Sequence, residues 1–388
     1  MKKRIISLLM IMCMAMTLLT GCGSKPANDA DGEVKTEAGE AKEASESITV
    51  TDMLGREVTI ENGVAEKVIA NNSGALRLYC YVGSIDKLVG VPEREKKDSR
   101  RRPYALANPG IVEIPSFGQG SGSNGDDFEK ILELNPDVIF AIDDDKANLD
   151  KMQEKLGIPV VALSYGTGVI FDEDVYDSLK LIGEIIGEEE RANEVVEYME
   201  ECKKDLNDRT KDIPDDQKLT AYAGGLAWSG SHGIESTREN YPLFDAVNAK
   251  NVVQGIGQDG AIMIDKEKLL EWNPDRIFID LASFSLVQED YMKNPEYYKS
   301  LDAFKNGEVY SQLPYVWCWV NVDTAMADAY YIGKVLYPEQ FKDVDPAEKA
   351  DEIYEFLVGK GVYSEMVEED GGFQKITLED LENIEVEK

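Results

Sequence analysis

The chain has 388 residues, 43% of them hydrophobic, and a formal net charge of −34 from 75 acidic and 41 basic side chains. That length allows two hydrophobic cores, because single cores stop growing near roughly 250–300 residues. So acidic a surface repels phosphate backbones and anionic headgroups, which excludes broad nucleic-acid binding and leaves solubility as the plain role of the charge.

The first feature along the chain is a basic start, Lys2-Lys3-Arg4, followed by an apolar run from Ile5 to Leu19. The run is too short and wrongly flanked for a membrane span, and has the form of a secretory signal. It ends in Leu19-Thr20-Gly21-Cys22, which resembles the lipobox of bacterial lipoproteins. The resemblance implies removal of residues 1–21 and lipid on the Cys22 sulfur, so the protein is expected outside the cytoplasm, anchored to the cell membrane by its N-terminal lipid. Residues 22–47 carry almost no large apolar side chains and cannot offset the entropy of ordering, so they are expected to form a flexible tether. Apart from Cys13 and Cys22, only Cys80, Cys202 and Cys318 remain. They are far apart and lack Cys-x-x-Cys spacing, so no zinc or redox motif is supported, and one disulfide is left open.

Residues 48–60 read as two strands around a turn at Gly55. Strands at 67–70, 88–91, 138–142 and 160–163 then alternate with helices at 75–82, 128–134 and 148–156. That alternation predicts an α/β lobe with a parallel sheet over 48–170. Within 171–213, Val175, Leu179, Ile182, Ile186, Val195, Met199 and Leu206 recur at helical steps. Gly183 and Gly187 bend this stretch or break it in two, and Pro214 lies past its end. Alternation resumes at 219–223, 243–247, 266–270 and 277–279, giving a second α/β lobe over 214–388.

An internal repeat ties the lobes together. Glu129-Lys130-Ile131-Leu132-Glu133-Leu134-Asn135-Pro136-Asp137-Val138-Ile139-Phe140 recurs as Glu267-Lys268-Leu269-Leu270-Glu271-Trp272-Asn273-Pro274-Asp275-Arg276-Ile277-Phe278. Each copy reads as a helix end, a tight turn and a buried strand. Proline fixes φ, and the Asn and Asp side chains close the turn. The matched Glu-Lys and Ile-Phe ends exceed what turn chemistry alone requires, so the lobes are expected to be duplicates. The fold class is therefore α/β: two Rossmann-like lobes joined by a long rigid helix, with a ligand cleft between them.

With these features in place, the sequence resembles the substrate-binding proteins of ABC importers for iron–siderophores, haem and cobalamin. The resemblance runs from Ile48 to Met366. It rests on Thr51-Asp52-Met53-Leu54-Gly55-Arg56, the two Asn-Pro-Asp units, the interlobe helical stretch and the segment from Asp323 to Pro338. It implies a monomer without cofactor or enzymatic activity that captures a small-molecule metal chelate, a ferric siderophore first and a corrinoid or haem next, and delivers it to an ABC permease dimer. It also implies that Glu129 and Glu267 dock onto arginine pockets of the two permease subunits, where carboxylate–guanidinium pairs are strong.

Ligand groups in such proteins sit on loops facing the gap. Four loops qualify. Asn72 lies in the first, after the first lobe strand. Arg101, Arg102 and Tyr104 lie in the only dense basic run of the mature chain. Trp228, His232 and Arg238 follow the first strand of the second lobe. Tyr315, Trp317 and Trp319 alternate, which puts three rings on one face if that segment is extended. Guanidinium groups suit carboxylates or phenolates of a chelate, and aromatic faces suit a conjugated ligand. The glycine-rich run from Gly118 to Gly125 lacks the lysine of a phosphate loop and reads as a flexible loop. No Gly-x-Ser-x-Gly elbow occurs, and Asp143-Asp144 is one acidic pair among many. A secreted hydrolase on the same scaffold would need His232, the single histidine, as its base. A structural surface protein, the third class, would bind no small molecule.

Overall fold

The computed structural model describes residues 47–97, 99–120, 126–142, 145–228 and 230–383. The signal run, Cys22, the tether through residue 46, most of the glycine-rich loop and Asp143-Asp144 lie outside the described residues.

One carboxylate closes the hairpin that opens the fold. Strands β1 (Ile48–Thr51) and β2 (Glu57–Ile60) pair antiparallel around Gly55, whose φ of 71° the turn requires. Asp52 accepts hydrogen bonds from the N–H groups of Leu54, Arg56 and Ala162. The buried Arg56 pairs with Asp52 and donates to the Val160 carbonyl. The opening motif thus fastens the hairpin to the last strand of the first sheet.

That first lobe contains β3 (Val68–Ala70), α1 (Ser73–Val82), β4 (Leu88–Gly90), α2 (Pro103–Ala107), α3 (Phe128–Leu134), β5 (Val138–Ala141), α4 (Lys146–Leu156) and β6 (Val160–Ala162). Two helices follow, α5 (Glu173–Ile186) and α6 (Glu189–Thr210). The second lobe holds β7 (Thr220–Gly224), β8 (Ser236–Arg238), α7 (Pro242–Ala246), β9 (Lys250–Asn251), β10 (Ala261–Met263), α8 (Lys266–Trp272) and β11 (Arg276–Asp280). It continues through α9 (Phe284–Lys293), α10 (Pro295–Ser300), α11 (Asp302–Lys305), β12 (Val309–Gln312), α12 (Val322–Leu336), α13 (Pro346–Val358), α14 (Tyr363–Asp370) and α15 (Leu378–Glu382).

The sheets run β4-β3-β5-β6 and β12-β11-β7-β9, with every pair parallel. Counted within its own sheet, each has the order second, first, third, fourth. The β8–β10 pair is an antiparallel addition to the second lobe.

The repeat is reproduced down to its hydrogen bonds. Asn135 and Asn273 end α3 and α8 in the left-handed region, at φ 47° and 40°. The Asp137 carboxylate accepts the N–H groups of Glu66 and Lys67, just before β3. The Asp275 carboxylate accepts the N–H and hydroxyl of Thr220, where β7 begins. In both lobes the turn before the third strand is clamped to the entry of the first.

The helical connection between the lobes is broken in two, one of the outcomes that Gly183 and Gly187 allowed. The chain breaks at Gly187 (φ 73°), and α5 packs on α1 within the first lobe. Only α6 spans, touching α1 on one side and α7 and α12 on the other. Its 22 residues reach about 33 Å. Gly183 is not the break but the crossing point: a Cβ there would sit 2.6 Å from that of Ala192.

A continuous apolar cluster runs from Phe140 and Ile182 through Met199 to Phe244, Met326 and Ile353, joining the lobes. Each lobe buries its outer sheet face in a separate cluster, around Ile139 and Leu149 in the first and Ile277 and Tyr298 in the second. A shared apolar core restrains opening, since free domain motion belongs to small, polar interfaces. Cys80, Cys202 and Cys318 are free thiols. None of the described helices is long and apolar enough to cross a membrane.

Candidate functional site

In open parallel sheets, ligands sit outside the carboxyl ends of the strands, where the strand order reverses. Here that point lies between β3 and β5 in one lobe and between β7 and β11 in the other.

At the first switch point stands Asn72. Its side-chain oxygen caps α1 at the Ala75 N–H (2.9 Å), and its Nδ2 donates to the Ile142 carbonyl (3.1 Å). It ties the loop after β3 to the loop after β5, with its amide already engaged. Arg102 and Tyr104, expected at the cleft, are turned inward instead: both are buried. The Glu95 carboxylate accepts from the Arg102 guanidinium, the Tyr104 hydroxyl and the Ser73 hydroxyl. The basic run therefore splits, because a buried acid draws in Arg102 while Arg101 stays half-exposed. Arg101 lies over the Trp317 ring at 4.8 Å.

At the second switch point, the Ser231 hydroxyl donates to the Ala282 carbonyl (2.7 Å) and the His232 N–H to the Ser283 hydroxyl (3.0 Å). These bonds fasten the loop after β7 to the loop after β11. Trp228 stacks on His232 with centroids 3.8 Å apart and keeps 40% of its surface exposed. The His232 Nε2 is buried without a hydrogen-bond partner, as is the Arg238 Nε. Burial pushes the Asp245 carboxyl up and Arg238 opposes the shift. Burial and then Asp280 raise the Tyr315 hydroxyl, again against Arg238.

The third wall is the loop after β12, and it corrects the extended reading of Tyr315, Trp317 and Trp319. Val316 bridges Val320, and the Trp317 N–H donates to the Trp319 carbonyl. Cys318 and Trp319 take φ values of 48° and 75°. Two consecutive non-glycine residues in that region cost about 1–3 kcal/mol each and persist only where the surroundings over-determine them. The reversal sends the rings apart. Tyr315 is buried against Tyr241 in the second lobe. Trp319 crosses to the first lobe, stacks on Tyr165 at 5.9 Å and remains 45% exposed. Helix α1 needs Gly74 beneath that indole, for a Cβ there would lie 2.7 Å from Trp319.

Sequence reasoning missed Arg77, Tyr165, Glu95 and Ser283. Arg77 had a signal: it is the single charged residue in the α1 sequence Ser-Gly-Ala-Leu-Arg-Leu-Tyr-Cys-Tyr-Val. Glu129 and Glu267 occupy the same second position of α3 and α8, and both are exposed. One turn on, Leu132 and Leu270 are also exposed. Among the described residues, no group of three or more His, Cys, Asp or Glu could hold a metal ion. Two other concavities, of about 520 and 610 Å³, are bordered by Arg56, Lys146 and Asp150, and by Phe171, Lys203 and Pro242. Neither is bordered by the loops above.

The sequence profile of the periplasmic binding protein family matches residues 68–314, from the first residue of β3 to just past β12. The molybdate-binding protein MolA of Haemophilus influenzae is 25% identical over 79% of this chain and 89% of its own length. YvrC of Bacillus subtilis, an uncharacterized ABC transporter substrate-binding lipoprotein, is 22% identical over 85% of this chain and 96% of its own. A crystal structure of a periplasmic solute binding protein from Veillonella parvula superposes with a TM-score of 0.66 at 19% identity, covering 83% of this chain and 96% of that one. Twin sheets of one strand order agree with that profile: the chain belongs to the periplasmic binding protein family.

Proposed function

We propose that the chain is an extracytoplasmic lipoprotein of an ABC importer that captures a small anionic metal chelate, a ferric siderophore or a related complex, between its lobes. One observation carries this reading. Three of the four tryptophans stand on loops at the carboxyl ends of second-lobe strands, Trp228 at the switch point and Trp317 and Trp319 after β12; two keep much of the indole exposed and Trp317 lies under a guanidinium. Indoles held on loops with their faces partly open offer flat apolar surface to a ligand. Conjugated chelating groups suit the ring faces, and Arg101 and Arg238 suit their anionic oxygens. A corrinoid or haem meets the same aromatic demand. Molybdate, named for the Haemophilus relative, would use the cations alone.

Tryptophan-fluorescence titration with a ferric tris-catecholate, a ferric trihydroxamate, cobalamin, haem and molybdate separates these ligands. A ferric chelate is expected to quench with micromolar affinity or better, about 8 kcal/mol or more. Saturable binding of molybdate with all chelates silent would sink the chelate reading. His232→Ala tests the rival enzyme: a binder keeps most of its affinity, whereas a hydrolase loses turnover.

Delivery is proposed to run through Glu129 and Glu267. Matched exposed glutamates on duplicated lobes, each followed by an exposed leucine, suit a partner built of two like subunits. The double variant Glu129→Ala/Glu267→Ala is expected to bind ligand normally and lose uptake; unchanged uptake rules those roles out. The lipid anchor at Cys22 is supported by the lipobox and by the lipoprotein relative. Replacing Cys22 with alanine should release the protein from the membrane fraction.

A further inference from the structure

The aromatic wall contributed by the second lobe is held by the first. Arg77 projects from α1 and is fully buried. Its Nη2 donates to the Trp317 carbonyl (3.0 Å), and its Nη1 to the carbonyls of Cys318 (3.2 Å) and Val320 (3.1 Å) and to the Tyr165 hydroxyl (3.3 Å). Its guanidinium also lies over the Tyr104 ring at 5.4 Å. All of these hydrogen bonds go to neutral oxygens, the Nε is buried without a partner, and the buried Asp323 carboxyl lies near enough to interact with the charge. Three of those carbonyls belong to the segment whose Cys318 and Trp319 are forced into the left-handed region. Tyr165 completes the device from both sides: its hydroxyl donates to the Gly74 carbonyl and its ring stacks on Trp319. Asn321 adds a second tie, from its Nδ2 to the Arg101 carbonyl.

We propose that Arg77 is a positioning residue, a clasp on the first lobe that sets the Trp317–Trp319 wall of the ligand cleft. The wall then belongs mechanically to the first lobe although β12 and α12 deliver it from the second. A ligand entering from the Trp228 side meets indoles already in place, so Arg77 governs affinity without touching the ligand. Lysine cannot substitute, because a single ammonium does not span three carbonyls as a planar fork does. That the wall binds ligand rests on the proposed function. That Arg77 sets the wall does not, and the test keeps the two apart.

The ligand-free readout uses the full protein with Trp319 as its only indole, through Trp228→Phe, Trp272→Phe and Trp317→Phe. Acrylamide quenching of Trp319, measured well below the thermal midpoint, reports whether the ring stays stacked. Arg77→Lys is expected to raise the quenching constant at least about twofold, because the loop leaves Tyr165. Tyr165→Phe keeps the ring but removes one partner of the guanidinium. It should raise quenching by a smaller factor and serves if Arg77→Lys does not fold. A residue with a merely structural role would lower the midpoint and leave Trp319 quenching unchanged, and that result in the folded variants overturns the proposal. With all four tryptophans restored, Arg77→Lys is expected to weaken ferric tris-catecholate binding by about tenfold or more. Normal affinity with altered quenching would overturn the part of the proposal that links the clasp to affinity. If the parent protein binds none of the ligands in the titration panel, the chelate reading fails and quenching alone decides the clasp.

Discussion

The two lobes agree in strand order, in the turn before the third strand, in the job of that turn's aspartate and in tying the loop after the first strand to the loop after the third, yet the side chains on those loops differ. On the first wall the polar side chains are spent on their own lobe. Asn72 makes two hydrogen bonds, and Arg102 and Tyr104 are consumed by Glu95. On the second wall Trp228 stays exposed, and His232 and Arg238 each keep a buried nitrogen without a partner. The common parts are those the backbone demands: a left-handed exit from a helix and an acceptor for the N–H groups at a strand entry. The divergent parts lie on loops that the sheet supports but does not specify. Arg102 Nε is also buried without a partner, so the walls differ not in unused nitrogens but in charge pairing and exposure: the first buries an acid with its cation, and the second leaves an indole in the open.

The sharpest way to break that contrast is to take the cation from that acid. Arg102→Met leaves the Glu95 carboxylate buried beside two hydroxyls without its cation. Removing one partner of a buried pair costs about 3–5 kcal/mol, to be measured by urea denaturation. His232→Ala on the opposite wall should cost far less, since its backbone N–H bond to Ser283 survives. If Arg102→Met cost under about 1 kcal/mol, the pair would behave as a solvated one and the contrast between the walls would vanish. A second, smaller effect tests the likeness of the lobes. Asp137→Ala and Asp275→Ala each remove an acceptor from two donors. Each should lose about 1–3 kcal/mol, and the two losses should agree. A clearly larger loss in one lobe would mean that the duplicated turn no longer does the same work in both.

The framework was legible because its signals are local. Alternating strands and helices, Pro136 and Pro274, and the flanking Asn and Asp residues announce themselves within a dozen positions. The bend at Gly187 was among the alternatives, and only packing against Ala192 shows what Gly183 does instead. The four candidate loops could be named from the sequence, but not the contacts that their side chains make. Arg101 and Arg102 are neighbours in a basic run, and Glu95 lies close before them in sequence, yet nothing local says which of the two arginines it takes. The alternation of Tyr315, Trp317 and Trp319 suggested an extended face, and no glycine warns of the left-handed pair at Cys318 and Trp319. The carbonyls of that segment are met by Arg77, about 240 residues earlier in sequence. A charge in an otherwise apolar helix was the available clue, and it points to burial with partners without saying which partners.

The finest test of the contrast lies within one helix. Helix α12 buries two aspartates completely, Asp323 and Asp328, and one oxygen of each lacks a partner. Burial raises both carboxyls above the ordinary aspartate range. For Asp323 the nearby Arg77 of the first lobe opposes the rise. For Asp328 the Leu313 N–H opposes it while Asp280 of the second lobe adds to it, and the carboxyl is pushed well up. The sign follows from proton counting. A carboxyl raised in the folded state holds its proton at pH values where the unfolded chain has already released it. The fold therefore benefits fully below the ordinary aspartate value, and that benefit is lost as pH rises through the folded value. Asparagine does not titrate, and at position 328 it retains an acceptor for Leu313. Asp328→Asn should therefore gain stability relative to the parent as pH is raised from about 4 to about 8. Asp323→Asn should gain less, because Arg77 already favours the charged form there. Urea midpoints across that range measure both slopes, and equal slopes would mean that the clasp arginine does not distinguish the two aspartates of α12.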